Sequence, residues 1–292
     1  MKTLSLFKSL LFAGIIAGIS VAVWAAEETA TLSPGEALMQ IKTGNARYAS
    51  GKSKFPHIAA NRRKETAEGG QHPVATIISC SDSRVPPEYL FDQGVGDIFV
   101  VRVAGNVCDT DEIGSAEYGV GHLKTPVLVV LGHTKCGAVT AVATGAQVHG
   151  CIPKLVDNIA PAVETARKKN PGKDAKDLIP QATRENVWQS IQDLITRSAE
   201  VRELIEKGQL RVEGAIYDIS SGEIDWMGQH PDEKALLKAG EKTEGHGEPA
   251  PGNGHAAAAV SHDAPAVAHG APADAHAPAA APEHGTPAAA HH

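Results

Sequence analysis

An α/β domain with a mainly parallel sheet, flanking helices and an antiparallel edge strand is the fold this sequence predicts. Four apolar, β-branched runs bounded by turn residues, at 74–79, 98–103, 127–131 and 210–219, read as strands buried on both faces. Helical stretches at 113–123, 137–144, 152–169 and 175–207 lie between them, and strands alternating with helices need crossover connections and therefore parallel pairing. A Ser220-Ser221-Gly222 turn then joins 210–219 to a fifth run at 223–227, a hairpin that supplies the antiparallel edge.

Taken in order, the 292-residue chain opens with Lys2 and Lys8 around the start of an apolar run, 10–24. Val23-Trp24-Ala25 places small residues three and one before the acidic exit Ala26-Glu27-Glu28. This is the pattern of a cleavable secretory leader, residues 1–25 with cleavage after Ala25, which predicts a periplasmic or secreted protein without a stable membrane anchor. Ser33-Pro34-Gly35-Glu36 is a capping box with proline at the first helical position, so a helix runs from there to about Ala49. The basic, polar stretch 51–70 reads as loop and short helix, and Pro180 predicts a break in 175–207. Residues 26–240 have the size of one domain.

Beyond Leu237 the chain has no Leu, Ile, Met, Phe, Tyr or Trp, so the Ala/Pro/Gly/His-rich segment 241–292 is expected to be disordered. It carries His246, His255, His262, His269, His276, His284, His291 and His292, and its prolines forbid a continuous helix despite the seven-residue spacing of four of them. Such imidazoles can bind additional divalent metal weakly or buffer protons. With 27 Lys+Arg against 34 Asp+Glu, the net charge of −7 gives no basic field for a phosphate backbone and excludes nucleic acid as a partner. Four cysteines are too few for a disulfide scaffold, so each needs its own explanation.

Ligands of an open parallel sheet bind beyond the carboxyl ends of its strands. The first strand ends at Cys80-Ser81-Asp82-Ser83-Arg84 and the third at Gly132-His133-Thr134-Lys135-Cys136-Gly137. Cys80, Asp82, His133 and Cys136 together form a ligand set suited to tetrahedral zinc, one ion per subunit. Four protein ligands would make a closed structural site. Arg84, two residues beyond Asp82, argues for an open one, since its guanidinium can hold that carboxylate bidentately and free the fourth position for water. Zinc in such a site lowers the pKa of its water to about 7 and presents a hydroxide nucleophile, while Asp82 accepts the hydroxide proton and goes on or off the metal with pH.

Cys80-Ser81-Asp82-Ser83-Arg84-Val85-Pro86-Pro87-Glu88, Val101-Arg102-Val103-Ala104-Gly105-Asn106 and Gly132-His133-Thr134-Lys135-Cys136-Gly137-Ala138 resemble the β-class carbonic anhydrases over about residues 33–228. The resemblance implies a lyase that reversibly hydrates CO2 to bicarbonate and a proton, with zinc on Cys80, His133 and Cys136 and an Asp82–Arg84 gate. It also implies a homodimer or higher homo-oligomer with the active site near the subunit interface. Members inhibited by bicarbonate carry tryptophan three positions before the first cysteine ligand; Ile77 stands here, so that form of regulation is not expected. The leader and the His-rich segment lie outside the family pattern.

Two other functions fit the same residues: hydrolysis of a sulfur analogue of CO2, and an extracytoplasmic zinc reservoir in which the His-rich segment does the work. The Asp82–Arg84 pair argues against a reservoir, which needs no gate. Cys108 and Cys151 remain over, and an extracytoplasmic chain predicts either a disulfide between them or two buried thiols. His57, His72, His122 and His149 read as loop or helix-surface residues, Trp188 and Trp226 as core or interface anchors. Gly94-Val95-Gly96 is too short for a dinucleotide fingerprint.

Overall fold

The computed structural model describes residues 32–244. In chain order the elements are α1 (Pro34–Ala49), α2 (Ala60–Gly69), β1 (Ala75–Cys80), α3 (Pro87–Leu90), β2 (Ile98–Val103), α4 (Thr110–Glu117), β3 (Val127–His133), α5 (Gly137–Thr144), α6 (Ile152–Asp157), α7 (Ala160–Lys169), α8 (Ala175–Arg197), α9 (Ala199–Glu206), β4 (Arg211–Tyr217), β5 (Ile224–Gly228) and α10 (Glu233–Glu244). The leader 1–25 and residues 245–292 of the His-rich segment lie outside the described residues.

The sheet has the order β2-β1-β3-β4-β5, with the first four strands parallel and β5 antiparallel to β4, as the sequence predicts. From β1 the chain steps outward to β2 and then crosses back to β3. The carboxyl ends of β1 and β3 therefore face a topological switch point, where a crevice opens in such sheets. Side-chain alternation divides the core between the two faces. Ile77, Val129, Leu131 and Ala215 pack with Leu38, Ile41, Leu90 and Phe91 on one side. Ile78, Leu128, Val130 and Val212 pack with Val187, Ile191 and Leu194 of α8 on the other.

The Ser33 capping box forms as expected: the Ser33 amide donates to Glu36 Oε2 at 2.9 Å, and the Glu36 amide donates to Ser33 Oγ at 3.4 Å. The predicted helix 113–123 starts earlier, because Asp109 and Glu112 form a second capping box, and it ends as a π-helical turn, Tyr118–His122. Gly119 permits that turn to pack, since a Cβ there would lie 2.3 Å from Thr76 Oγ1. The stretch 152–169 divides into α6 and α7.

Pro180 does not break 175–207. Instead α8 runs through it, and the interruption falls at Ser198, whose extended backbone ends α8 and whose Oγ accepts the Val201 amide at 3.2 Å to cap α9. A serine that can satisfy an open helix start ends a helix more effectively here than a proline that removes one bond near its beginning. The last helix, α10, was not legible as a helix. It continues past residue 240, and its Leu236 and Leu237 pack against the core on the α8 side.

Candidate metal centre

Cys80 is the last residue of β1 and His133 the last of β3. Thr134 and Lys135 then turn the chain, Lys135 with φ 58°, so that Cys136 caps the start of α5. The Thr134 amide donates to the Tyr217 carbonyl at 2.9 Å, which ties this turn to the end of β4. Adjacent strand ends and a tight turn thus bring three donors together: one ligand atom each of Cys80, His133 and Cys136, all within 4.8 Å of one another and all buried.

The His133 ring is fixed by its Nδ1, 2.9 Å from the Thr134 carbonyl. A carbonyl can only accept, so Nδ1 carries the proton and Nε2 presents a lone pair. That Nε2 is buried without a hydrogen-bond partner. An orphaned imidazole nitrogen facing two thiols is the arrangement a divalent cation satisfies, and two soft sulfurs with one imidazole fit zinc.

The adjacent Cys136 thiol, with the amides of Gly105 and Asp82, pulls the Cys80 thiol down against the opposing effect of burial. The neighbouring Cys80 sulfur, followed by burial, pushes the Cys136 thiol up. Cys80 Sγ accepts the Asp82 amide at 3.4 Å and the Gly105 amide at 3.3 Å, so its negative charge has two fixed N–H partners.

Asp82 lies at the edge of the donors, with Oδ2 4.0 Å from His133 Nε2. Its carboxylate is turned to Arg84, which donates Nε to Oδ1 at 2.9 Å and Nη2 to Oδ2 at 2.7 Å, the bidentate fork the sequence suggested. The Arg84 amide also donates to Oδ1 at 2.9 Å. Arg84 holds the Asp82 carboxyl well below the usual carboxylate range, outweighing burial. Three features had no role in the sequence reading: the Gly105 amide on Cys80, the Lys135 carbonyl that accepts Arg84 Nη2 at 3.3 Å, and Arg102. Arg102 donates to the Cys80 carbonyl at 3.1 Å and to the Asp82 carbonyl at 2.7 Å, clamping the segment that carries both residues.

Cys108 and Cys151 are both free, so the disulfide alternative is corrected. Cys108 is buried among Ile78, Ile113 and Val187, where burial pushes its thiol up, whereas Cys151 is exposed at the start of α6. Only one of them meets the buried-thiol alternative. Ile77 is fully buried in the core. His72, His122 and His149 are exposed, as expected, while His57 places Nδ1 2.7 Å from Asp97 in a loop. Trp188 packs on the core in a T-shaped contact with His230, and Trp226 packs near Phe91 beneath Lys42. A cavity of about 740 Å³ lined by Lys135, Ile179, Ile216 and Ile224 includes none of the donors.

A family model described as carbonic anhydrase matches residues 75–224. Carbonic anhydrase 2 of Mycobacterium tuberculosis is 37% identical over 194 residues, covering 65% of this chain and 91% of that protein. Among solved structures, the β-carbonic anhydrase CafA of Aspergillus fumigatus aligns with a TM-score of 0.56 at 28% identity, over 69% of this chain and 95% of that one. One of two tetrameric β-carbonic anhydrases of Sordaria macrospora aligns at 0.53 and 26% identity, over 64% of this chain and 94% of that one.

Proposed function

Because the chain belongs to the β-class carbonic anhydrases, lyases that hydrate CO2 reversibly to bicarbonate, we propose that it does so with one zinc ion held by Cys80, His133 and Cys136 and gated by Asp82 and Arg84. The observation that carries this reading is the buried Nε2 of His133, left without a partner and clustered with the sulfurs of Cys80 and Cys136 within 4.8 Å. When bound, zinc supplies the Lewis acidity that brings a water proton within reach of neutral pH.

The chain's own residues do the rest. His133 is held in a single tautomer by the Thr134 carbonyl, so its lone pair is always presented to the metal position. Arg84 restrains Asp82 from becoming a fourth protein ligand and so keeps the centre open. Asp82 Oδ1 takes two Arg84 donors whereas Oδ2 takes one and faces His133, so Oδ2 is the oxygen with acceptor capacity left for a reactant hydroxyl. The full-length protein should contain one zinc per chain and hydrate CO2 in stopped-flow assays. Cys136→Ser should lose both metal and activity, because a neutral hydroxyl supplies neither the charge nor the softness of a thiolate. A zinc-replete, active Cys136→Ser protein would falsify the assignment.

A homo-oligomer, at least a dimer, is part of the same reading. It is supported by the outer edge of β2, which bonds no other strand among the described residues and carries half-buried Phe99, Val100 and Val101. Light scattering of the purified chain should give a multiple of the monomer mass, and a monomeric mass at micromolar concentration would refute this part.

A further inference from the structure

The amide that donates to Cys80 Sγ belongs to Gly105, and Gly105 lies in a loop with every reason to wander. Its φ is 83°, and the next residue, Asn106, is also left-handed at 47°. A Cβ at Gly105 would stand 2.6 Å from Ile159 Cδ1, so the position excludes the side chains that would restrict its backbone. What holds the loop comes from α8. Asn186 Nδ2 donates to the Gly105 carbonyl at 2.6 Å, and one turn later Ser190 Oγ donates to the Asn106 carbonyl at 2.9 Å. Two consecutive carbonyls are therefore gripped by one rigid helix, and the amide on the other side of the Gly105 Cα is aimed at the Cys80 sulfur as a result.

Asn186 is 1% exposed, and its Oδ1 has no hydrogen-bond partner. A buried amide with one end unsatisfied destabilises a fold, whereas the other buried polar side chains of this helix, Thr183 and Ser190, satisfy their hydroxyls on the helix's own carbonyls. An asparagine at this place is explained by the one strong bond it makes, not by packing.

We propose that Asn186 is a positioning residue for the metal centre: it fixes the Gly105 peptide so that its N–H donates to Cys80 Sγ, and thereby holds that sulfur in place for the metal. The inference rests on the zinc reading above and extends it to a residue of α8 that touches no ligand. Partners that orient metal ligands from outside the coordination sphere typically change affinity by 10–100-fold when lost.

The test uses the full-length chain stripped of metal and titrated with Co2+, whose thiolate charge-transfer absorption reports cysteine ligands and is blind to the histidines of residues 246–292. Competition with Zn2+ then gives the zinc affinity. Asn186→Leu, of similar size and without the orphaned oxygen, and Asn186→Ala should both bind roughly tenfold more weakly with an altered charge-transfer band. Ile191→Ala, a cavity in the same helix where it packs against Gly214 of β4, should lower thermal stability and leave metal affinity and spectrum at wild-type values. Asn186 variants with wild-type affinity and band, or an Ile191→Ala protein that loses affinity in proportion to its stability, would overturn the proposal. A wild-type chain with no thiolate band would overturn the zinc reading and this inference with it.

Discussion

Arg84 holds Asp82 by a fork whose two arms end on different oxygens, and only a planar, two-pronged cation can do this. Arg84→Ala should therefore keep its zinc, measured by metal analysis, yet lose roughly tenfold or more in kcat/KM for CO2 hydration, as the freed carboxylate turns to the metal. Arg84→Lys should rescue little, and unchanged hydration in Arg84→Ala would make Arg84 a structural residue only. All five residues of this centre were legible in the sequence, because each is a side chain with its own chemistry standing at the end of an apolar run. Gly105 and Arg102 were not. Gly105 contributes an amide and Arg102 binds two carbonyls, so neither role is encoded in a recognisable pair of side chains.

Elements are joined here by buried carboxylates as well as by apolar packing. Asp92, with a side chain fully shielded from solvent, accepts the amides of Lys54 and Phe55 at 3.0 and 2.9 Å and the Nε of Arg47. It thus fastens the end of α1 and the loop after it to the segment beyond α3. Burial pushes the Asp92 carboxyl up, but the Lys54 amide, Arg47 and the Phe55 amide outweigh it and leave the pKa below the usual carboxylate range. A carboxyl depressed on folding adds stability that is fully present above its unfolded pKa of about 3.9 and is lost as pH falls through the lower folded value. Asp92→Asn should thus lose about 1–3 kcal/mol in urea unfolding at pH 7, and its stability should fall less than that of the wild type on acidification below about pH 4. Equal acid sensitivity in the two proteins would contradict this account.

The strands were readable because burial on both faces leaves near-continuous apolar runs, whereas the Ser198 break and the π-helical turn were not. Both depend on neighbours distant in sequence. Gly119, for instance, is placed so that a Cβ would meet buried Thr76 of β1, a contact no local pattern announces.

At the scale of the whole molecule, the leader 1–25 and the histidines from 246 onward belong to one proposal, an enzyme working outside the cytoplasm with weak metal sites on the same chain as a zinc centre. An extracytoplasmic chain cannot draw on cytosolic zinc, and exchangeable imidazoles would raise the local supply. The exported protein should begin at Ala26, and deleting 246–292 should reduce zinc loading and activity under zinc limitation only. Equal behaviour under limitation and excess would reject the reservoir, while a defect confined to weakly buffered, zinc-replete medium would point to proton buffering instead. The alternation of strands and helices made the parallel sheet legible. It left the strand order open, and it is that order, with β3 beside β1, that sets Cys80 against His133.

Lys135 contributes its carbonyl to Arg84 from a left-handed turn residue, and the contact is made by the main chain alone. Replacing its side chain leaves the acceptor in place. An alanine scan of the centre would register Cys80, Asp82, Arg84, His133 and Cys136 and pass over this contact in silence. Only a change in the peptide itself, such as an ester in place of the following amide to weaken that carbonyl, would expose it. Part of the hold on Arg84 is thus written in atoms every residue shares, where neither sequence comparison nor side-chain mutagenesis has a direct view.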